Sequence, residues 1–397
     1  NISITTEDAA EMSFLEGFTI IDMASVGPAA RATRILADYG MDVIKVSPVL
    51  AKSGKQIVPI YHAYSGGRGT RKIRVDLKSK AGKEVILKLT KSSDALIESF
   101  RPGVAKRLGV GYEELKALNS SLIYCSTSGY GQNGLYSQRA GHDINYLALG
   151  GYLATSGINN KGLPALAGAT IADSAGGGMH AAIAIIAALV KRLKSGEGAY
   201  LDVSATDGVL NLMSLSIDQY AATGEEIKPG NSVLTGRYAW YGVYATAGGG
   251  AISVGAIEPH FFKNLCRLLD LEEYTDLQYD EAVQGQMKSD FQTLFISKDR
   301  DHWVHLLADK DTCVAPVLSV AEVSSDQHFN ERDSFNEAVY PGIKGFEQLA
   351  PILAGMEKIK NSVTLQDAHI TNIDSVLKDA GFTEVEIEKF QNDGVVE

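Results

Sequence analysis

The sequence predicts an α/β protein: a large domain with a parallel sheet under helices, and a smaller α+β domain. Three observations predict it. Strand-like and helix-like segments alternate in short order from residue 18 to residue 128, as they do in parallel sheets with helical crossovers. From about 225 to 335 the pattern changes to alternating aromatic-rich stretches around a Gly-rich turn, which reads as antiparallel strands followed by helices. The chain has 397 residues, enough for two or three domains.

The elements follow in order. FTIIDMAS (18–25) reads as a strand, a Gly-Pro turn follows, and AARATRILADYG has helical spacing with Gly40 as its stop. MDVIKVS and KIRVDLKS are strands, AGKEVILKLTKSS a helix, DALIESF and LIYCSTSGYG strands. Residues 176–222 read as mostly apolar helix broken by KSGEGAYLDVS, and MHAAIAIIAALV (179–190) as a buried helix too short for the roughly 20 residues of a membrane span. YAWYGVYATAGGGAISVGA gives the second domain its strands, and HFFKNLCRLL and DHWVHLLADK its helices. The tail ends in a surface helix within TEVEIEKFQNDGVVE. The expected division is a Rossmann-like large domain from 1–224 plus 336–397, and a small domain at 225–335.

Composition narrows the function. Hydrophobic residues are 45% and charged residues 21%, which fits a folded chain. The formal net charge of −11 disfavours general nucleic-acid binding, although a local basic pocket stays possible. Three separated cysteines point to neither a disulfide framework nor a zinc site, and with the polar, acidic start they lead us to expect a cytoplasmic protein. The first turn, SVGPAAR, lacks the G-x-G-x-x-G spacing of dinucleotide folds, and P-loop, H-E-x-x-H and G-x-S-x-G strings are absent from the sequence.

Three stretches could carry chemistry: GHDINY with His142, TIADSAGGGMH with Asp173, and SVGAIEPHFF with Glu258. Each has an ordinary structural alternative. His142 and Asp143 could start a helix, Asp173 could be an N-cap, and Glu258 could be a solvated carboxylate at a strand end that Pro259 terminates.

Together with ADYGMDVIKV, VDLKSKAG, ESFRPGVAKRLGVGYEEL, LIYCSTSGYGQNG, GEGAYLDVS and DHWVHLLADKDTCVAPVL, these stretches resemble the class III CoA-transferase (CaiB/BaiF) superfamily over about residues 18–335. The pairing of GHDINY with GAIEP is most similar to the α-methylacyl-CoA racemase branch. The resemblance implies a CoA thioester substrate, no cofactor beyond its CoA moiety, no metal, and an interlocked homodimer in which Glu258 meets His142 across the interface. It implies neither a nucleic-acid nor a membrane partner. It also implies roles. His142, held by Glu258, works on one face of the α-carbon and Asp173 on the other. Lys45, Arg71, Arg74, Lys78, Arg101 and Gly141 lie along CoA.

Such residue types suit the chemistry. Removing the α-proton of a thioester gives a planar enolate, and reprotonation from either side needs a base on each face. A positioned general acid–base group contributes about 10²–10⁴-fold, and a histidine titrates near neutrality. The glycines 176–178 would let the thioester approach. Two strings depart from the racemase pattern. Ala169 stands where racemases carry asparagine, and LTGRYAW (234–240) brings Arg237, Tyr238 and Trp240 toward the presumed acyl pocket. The alternative is a CoA-transferase with Asp173 as a nucleophile that forms covalent acyl and CoA intermediates.

Overall fold

A computed structural model describes residues 13–24, 27–50, 68–340, 343–351, 354–356, 362–365 and 370–397. The polar start, Ser25 and Val26 of the first turn lie outside the described residues. The chain forms two compact units. One holds the chain up to Gly150, Ala167–Ser214 and everything from Asn330 onward; the other holds Gly151–Leu166 and Leu215–Phe329.

The first unit is built on β1 (Thr19–Asp22), β2 (Asp42–Ser47), β3 (Thr70–Arg74), β4 (Ala95–Glu98), β5 (Ile123–Ser128) and β6 (Ala199–Ser204). They form one sheet in the order β3-β2-β1-β4-β5-β6, and every pairing is parallel. This is the doubly wound order, whose crossovers leave a crevice at the carboxyl ends where the strand order reverses, here between β1 and β4. The strands are apolar on both sides because both faces are covered. Ile21, Ile44, Leu96 and Tyr124 pack with α2 (Lys80–Ser92) and with the C-terminal helices α10 (Ile373–Asp379) and α11 (Glu384–Asn392). Ile20, Val43, Ile97 and Ile123 face the other way, onto α1 (Gly27–Asp38) and α4 (His180–Ser195). Period-two alternation along each strand sorts these residues to their faces.

Local chemistry sets the boundaries. Ser79 caps α2 by accepting from the Gly82 N–H at 2.9 Å. Gly40 stops the turn after α1 at φ +95°, a left-handed conformation, with Ser13 packed where a side chain would stand. β6 was not expected. AYLDVS lies between two apolar helical runs, so its short alternation is masked in the sequence; in the fold it pairs along its whole length with β5.

The apolar segment also extends further than its composition suggests. Ala172–Met179 is π-helical and runs without a break into α4. The combined helix, Ala172–Ser195, is long and apolar enough to cross a membrane by length and composition. In this fold it is a half-buried helix rather than a wholly buried one: Ala181, Ala182, Ile185 and Leu189 enter the core, while Ile183, Val190 and Leu193 remain exposed.

α5 (Ala205–Leu212) follows β6, and α6 (Ser214–Thr223) leads into the second unit. There β7 (Tyr241–Ala245), β8 (Ala251–Gly255) and β9 (Val314–Pro316) form an antiparallel sheet. Its core joins Trp240 and Tyr244 to Phe262 of α7 (Pro259–Leu268), Phe291 and Phe295 of α8 (Gln284–Phe295) and Trp303 of α9 (Arg300–Leu307). Within the first unit's C-terminal part, β10 (Phe335–Tyr340) pairs antiparallel with β11 (Ile343–Leu349) and parallel with β12 (Val363–Thr364).

Candidate active site

The loops after β4 and β5 leave the sheet at the carboxyl edge and enclose a cavity of about 410 Å³. Arg101 and Pro102 come from the first loop, Gly129 and Tyr130 from the second, and Gly141, His142 and Tyr146 from the segment beyond. His142 is the exposed residue immediately before α3 (Asp143–Leu149) and has extended backbone. Its N–H donates to Asn145 Oδ1 at 3.0 Å, which fixes the start of the helix through the backbone and leaves the imidazole at the cavity wall. Tyr146 braces this wall. Its hydroxyl donates to the Gly141 carbonyl at 2.6 Å, and its ring meets Tyr130 edge to face. Burial, with the charge of Asp173 next in importance, pushes the Tyr146 phenol up to about 12, so it serves as a neutral donor.

Asp173 is not part of that wall, but it is tied to it. The Asp143 carboxylate, one residue on from His142, accepts the Asp173 N–H at 2.8 Å. The Asp173 carboxylate itself accepts no hydrogen bond among the described residues. Burial raises its carboxyl above the ordinary range, the negative charge of Asp143 raises it further, and Arg31 and His142 act in the opposite sense. The Asp173 carboxyl therefore lies within electrostatic reach of His142. Sequence reasoning saw Asp143 only as a helix start and did not single out Arg31. The D of GHDINY was visible as a helix start, but no local signal paired it with a residue thirty positions away.

The glycines do different work from the one expected. A side chain on Gly177 would strike Pro28, one on Gly178 would strike Arg31, and one on Gly176 would meet the Ala205 carbonyl. All three are buried, and they let the π-helical segment approach α1 and α5 rather than admit a substrate.

The cations divide into two groups. Lys45 is buried and paired with Asp22 at 2.7 Å. Arg71 is held between Asp42 and Asp379. Arg74 is half-buried, and its backbone N–H and carbonyl bond Glu397. Lys78 is exposed beside the cap of α2, and Arg101 is exposed in the His142 cavity. Among the described residues, no group of three or more His, Cys, Asp or Glu is arranged to hold a metal.

Glu258 belongs to the second unit, where it is exposed just before α7. Pro259 is the first residue of that helix, where its missing N–H costs nothing. Arg237, Tyr238 and Trp240 are not a free polar set. Arg237 is paired with Glu281 at 2.7 Å, Tyr238 donates to the same carboxylate at 2.9 Å, and Trp240 is fully buried with its N–H on the Gln278 carbonyl.

Residues 15–364 match the sequence model of CoA-transferase family III. The chain belongs to this family. It is 33% identical over 386 residues to alpha-methylacyl-CoA racemase of Homo sapiens, covering 96% of this chain and 97% of that one. It is also 33% identical to the succinyl-CoA:glutarate CoA-transferase of Homo sapiens, over 83% of this chain and 77% of the other. A CAIB/BAIF family protein from Brucella suis has the same fold: TM-score 0.73 at 24% identity, covering 93% of this chain and 99% of that one. Membership thus joins the cavity of His142 to a family that contains both racemases and transferases.

Proposed function

We propose that the chain is an enzyme on acyl-CoA thioesters that interconverts (R)- and (S)-2-methylacyl-CoA by two-base proton transfer. The observation that carries this reading is the linked pair of unlike proton carriers, His142 and Asp173, joined through Asp143. In this reading His142 removes the α-proton, the electrons pass into the thioester to give the enolate, and Asp173 returns a proton to the opposite face. The raised carboxyl of Asp173 keeps its proton to higher pH than an exposed aspartate and so suits the acid role. Glu258 of a partner copy orients His142 in a homodimer. The exposed apolar side chains Ile183, Leu193 and Leu215 support such pairing. The proposed CoA-binding set is Lys45, Arg71, Arg74, Lys78, Arg101 and Gly141. Arg101 has the strongest case, since it is exposed in the His142 cavity. Arg101→Ala raises the dissociation constant for CoA esters and flattens its salt dependence.

The second reading, transfer of CoA between carboxylic acids with Asp173 as nucleophile, is favoured by Ala169 and by a carboxylate that accepts no hydrogen bond among the described residues. One experiment separates the two. A single 2-methylacyl-CoA epimer is incubated in heavy water with and without a carboxylic acid acceptor. Deuterium entering the α-position with loss of stereochemistry, acceptor absent, supports the racemase. CoA appearing on the acceptor with the α-proton untouched replaces it with the transferase.

A further inference from the structure

GHDINY holds two side chains that the proposed chemistry leaves without a role, Asn145 and Tyr146 of α3. Both reach back to the same peptide unit. The Tyr146 hydroxyl donates to the Gly141 carbonyl at 2.6 Å, and Asn145 Oδ1 accepts the His142 N–H at 3.0 Å. That carbonyl and that N–H are the two ends of one bond, the Gly141–His142 peptide, which is a rigid plane. The plane can swing only about the torsions on either side of it. One of these belongs to a glycine, the residue with the widest backbone freedom. A donor fixed at one end and an acceptor at the other oppose the swing.

The clamp is itself held. A side chain on Gly129 would come within 2.2 Å of the Tyr146 ring, and one on Gly141 within 2.7 Å, so the ring is wedged between two residues that must be small. Tyr130 closes the wedge edge to face, with ring centroids 5.1 Å apart. On the far side of His142 the chain is tied again, because Asp143 accepts the Asp173 N–H. His142 is exposed, so packing around its own side chain does not set its aim. The backbone on both sides of it does.

We propose that Asn145 and Tyr146 are positioning residues, which keep His142 aimed for proton transfer by clamping the peptide bond before it. The inference rests on His142 as one of the two bases. Asn145 is exposed, and one hydrogen bond at such a place contributes only about 1 kcal/mol to folding. A base displaced by about 1 Å can lose about 100-fold in rate. The clamp therefore matters to turnover far more than to the fold.

The test follows deuterium entering the α-position of a single 2-methylacyl-CoA epimer in heavy water. Tyr146→Phe, which removes only the hydroxyl, and Asn145→Ala each lower kcat about tenfold or more. KM stays within about twofold, because the CoA contacts are untouched. Asn145→Asp keeps the acceptor oxygen and returns kcat to within about threefold of wild type. The double variant loses less than the product of the single losses, since both side chains hold one peptide. Thermal melts of the variants stay within a few degrees of wild type. Amide hydrogen exchange at His142, followed by NMR, reads the clamp without any reaction and is faster in both single variants. Unchanged kcat in Tyr146→Phe and Asn145→Ala, a loss confined to KM, losses that multiply in the double variant, or unchanged amide exchange would each overturn the proposal. Wild type that exchanges no α-proton at all would instead sink the reading of His142 as a base, and this inference with it.

Discussion

Two aspartates near the carboxyl edge of the large sheet have opposite surroundings. Asp22, at the end of β1, is fully buried and fully bonded. It accepts from the Ala24 N–H at 2.8 Å, the Thr33 hydroxyl at 2.6 Å and the Lys45 ammonium at 2.7 Å. Asp173, at the start of the π-helical segment, is half-buried, and its carboxylate has no such donors among the described residues; its backbone N–H is held by another carboxylate, that of Asp143, whose charge acts on it. A carboxylate supplied with donors and a cation is fixed in place and holds structure. One that is desolvated and set beside a like charge has its carboxyl raised above the ordinary range. The difference separates a scaffold carboxylate from one whose surroundings suit the proposed chemistry.

The comparison breaks most visibly at the proposed catalytic pair. His142→Ala and Asp173→Asn should each lower turnover of a 2-methylacyl-CoA by about 10²–10⁴-fold, the usual contribution of a general acid–base group. Their urea midpoints should stay near wild type, because neither side chain is part of a buried network. Equal loss of stability and activity in Asp173→Asn would place it with Asp22. Asp22→Ala should behave in the reverse way. Removing it leaves the Lys45 ammonium buried without its anion, at a cost of about 3–5 kcal/mol. Denaturant unfolding measures this, and a change below about 1 kcal/mol, the range of exposed pairs, would show that water reaches Lys45.

The smallest effect sharpens the contrast. Asp143→Asn removes a negative charge beside Asp173 and should lower its carboxyl value, although burial, the larger cause, persists. The acidic limb of the rate profile then moves to lower pH. The sign for stability follows from the same shift. A carboxyl raised in the folded state holds its proton where the unfolded chain has lost it. Its contribution is present at low pH and disappears as pH rises through the folded value. Asp143→Asn should reduce that dependence, and pH-resolved thermal melts would detect it. An unmoved limb would mean that Asp143 acts only through the Asp173 backbone.

Much of this was legible in the sequence, where pattern and structure share a period. IIDM, VIKV and LIES show continuous apolar runs because both faces of the sheet are covered, whereas GHDINY and IADS stood out only through their resemblance to a family, since Asp and His at a helix start are ordinarily structural. What stayed hidden depended on contacts between distant segments. β6 is a strand because β5 offers it an edge. Gly176–Gly178 are small because Pro28, Arg31 and Ala205 press against them. Arg237 looked like a free cation until Glu281, forty-four positions away, neutralised it. The C-terminal strands β10–β12 were missed because FNEAVYPGIKGFEQL lies in a polar tail whose alternation is short and weakly apolar.

The way this tail joins the large sheet carries a consequence in time. Val75 bridges Val396 beyond β3, Arg74 and Glu397 exchange backbone hydrogen bonds, and Ile373, Val376, Leu377 and Ile387 belong to the same core as Ile21 and Leu96. The first unit to leave the ribosome is therefore the last to be finished. At about 5–20 residues per second, the helices that close its lower face arrive tens of seconds after β1. Until then the side of the sheet destined for α10 and α11 stays open to water, while the second unit, made entirely in between, has all its core residues in hand. A nascent chain halted near residue 365 would carry a closed small unit and an unclosed large one, and it is the large one that a chaperone would have to shield.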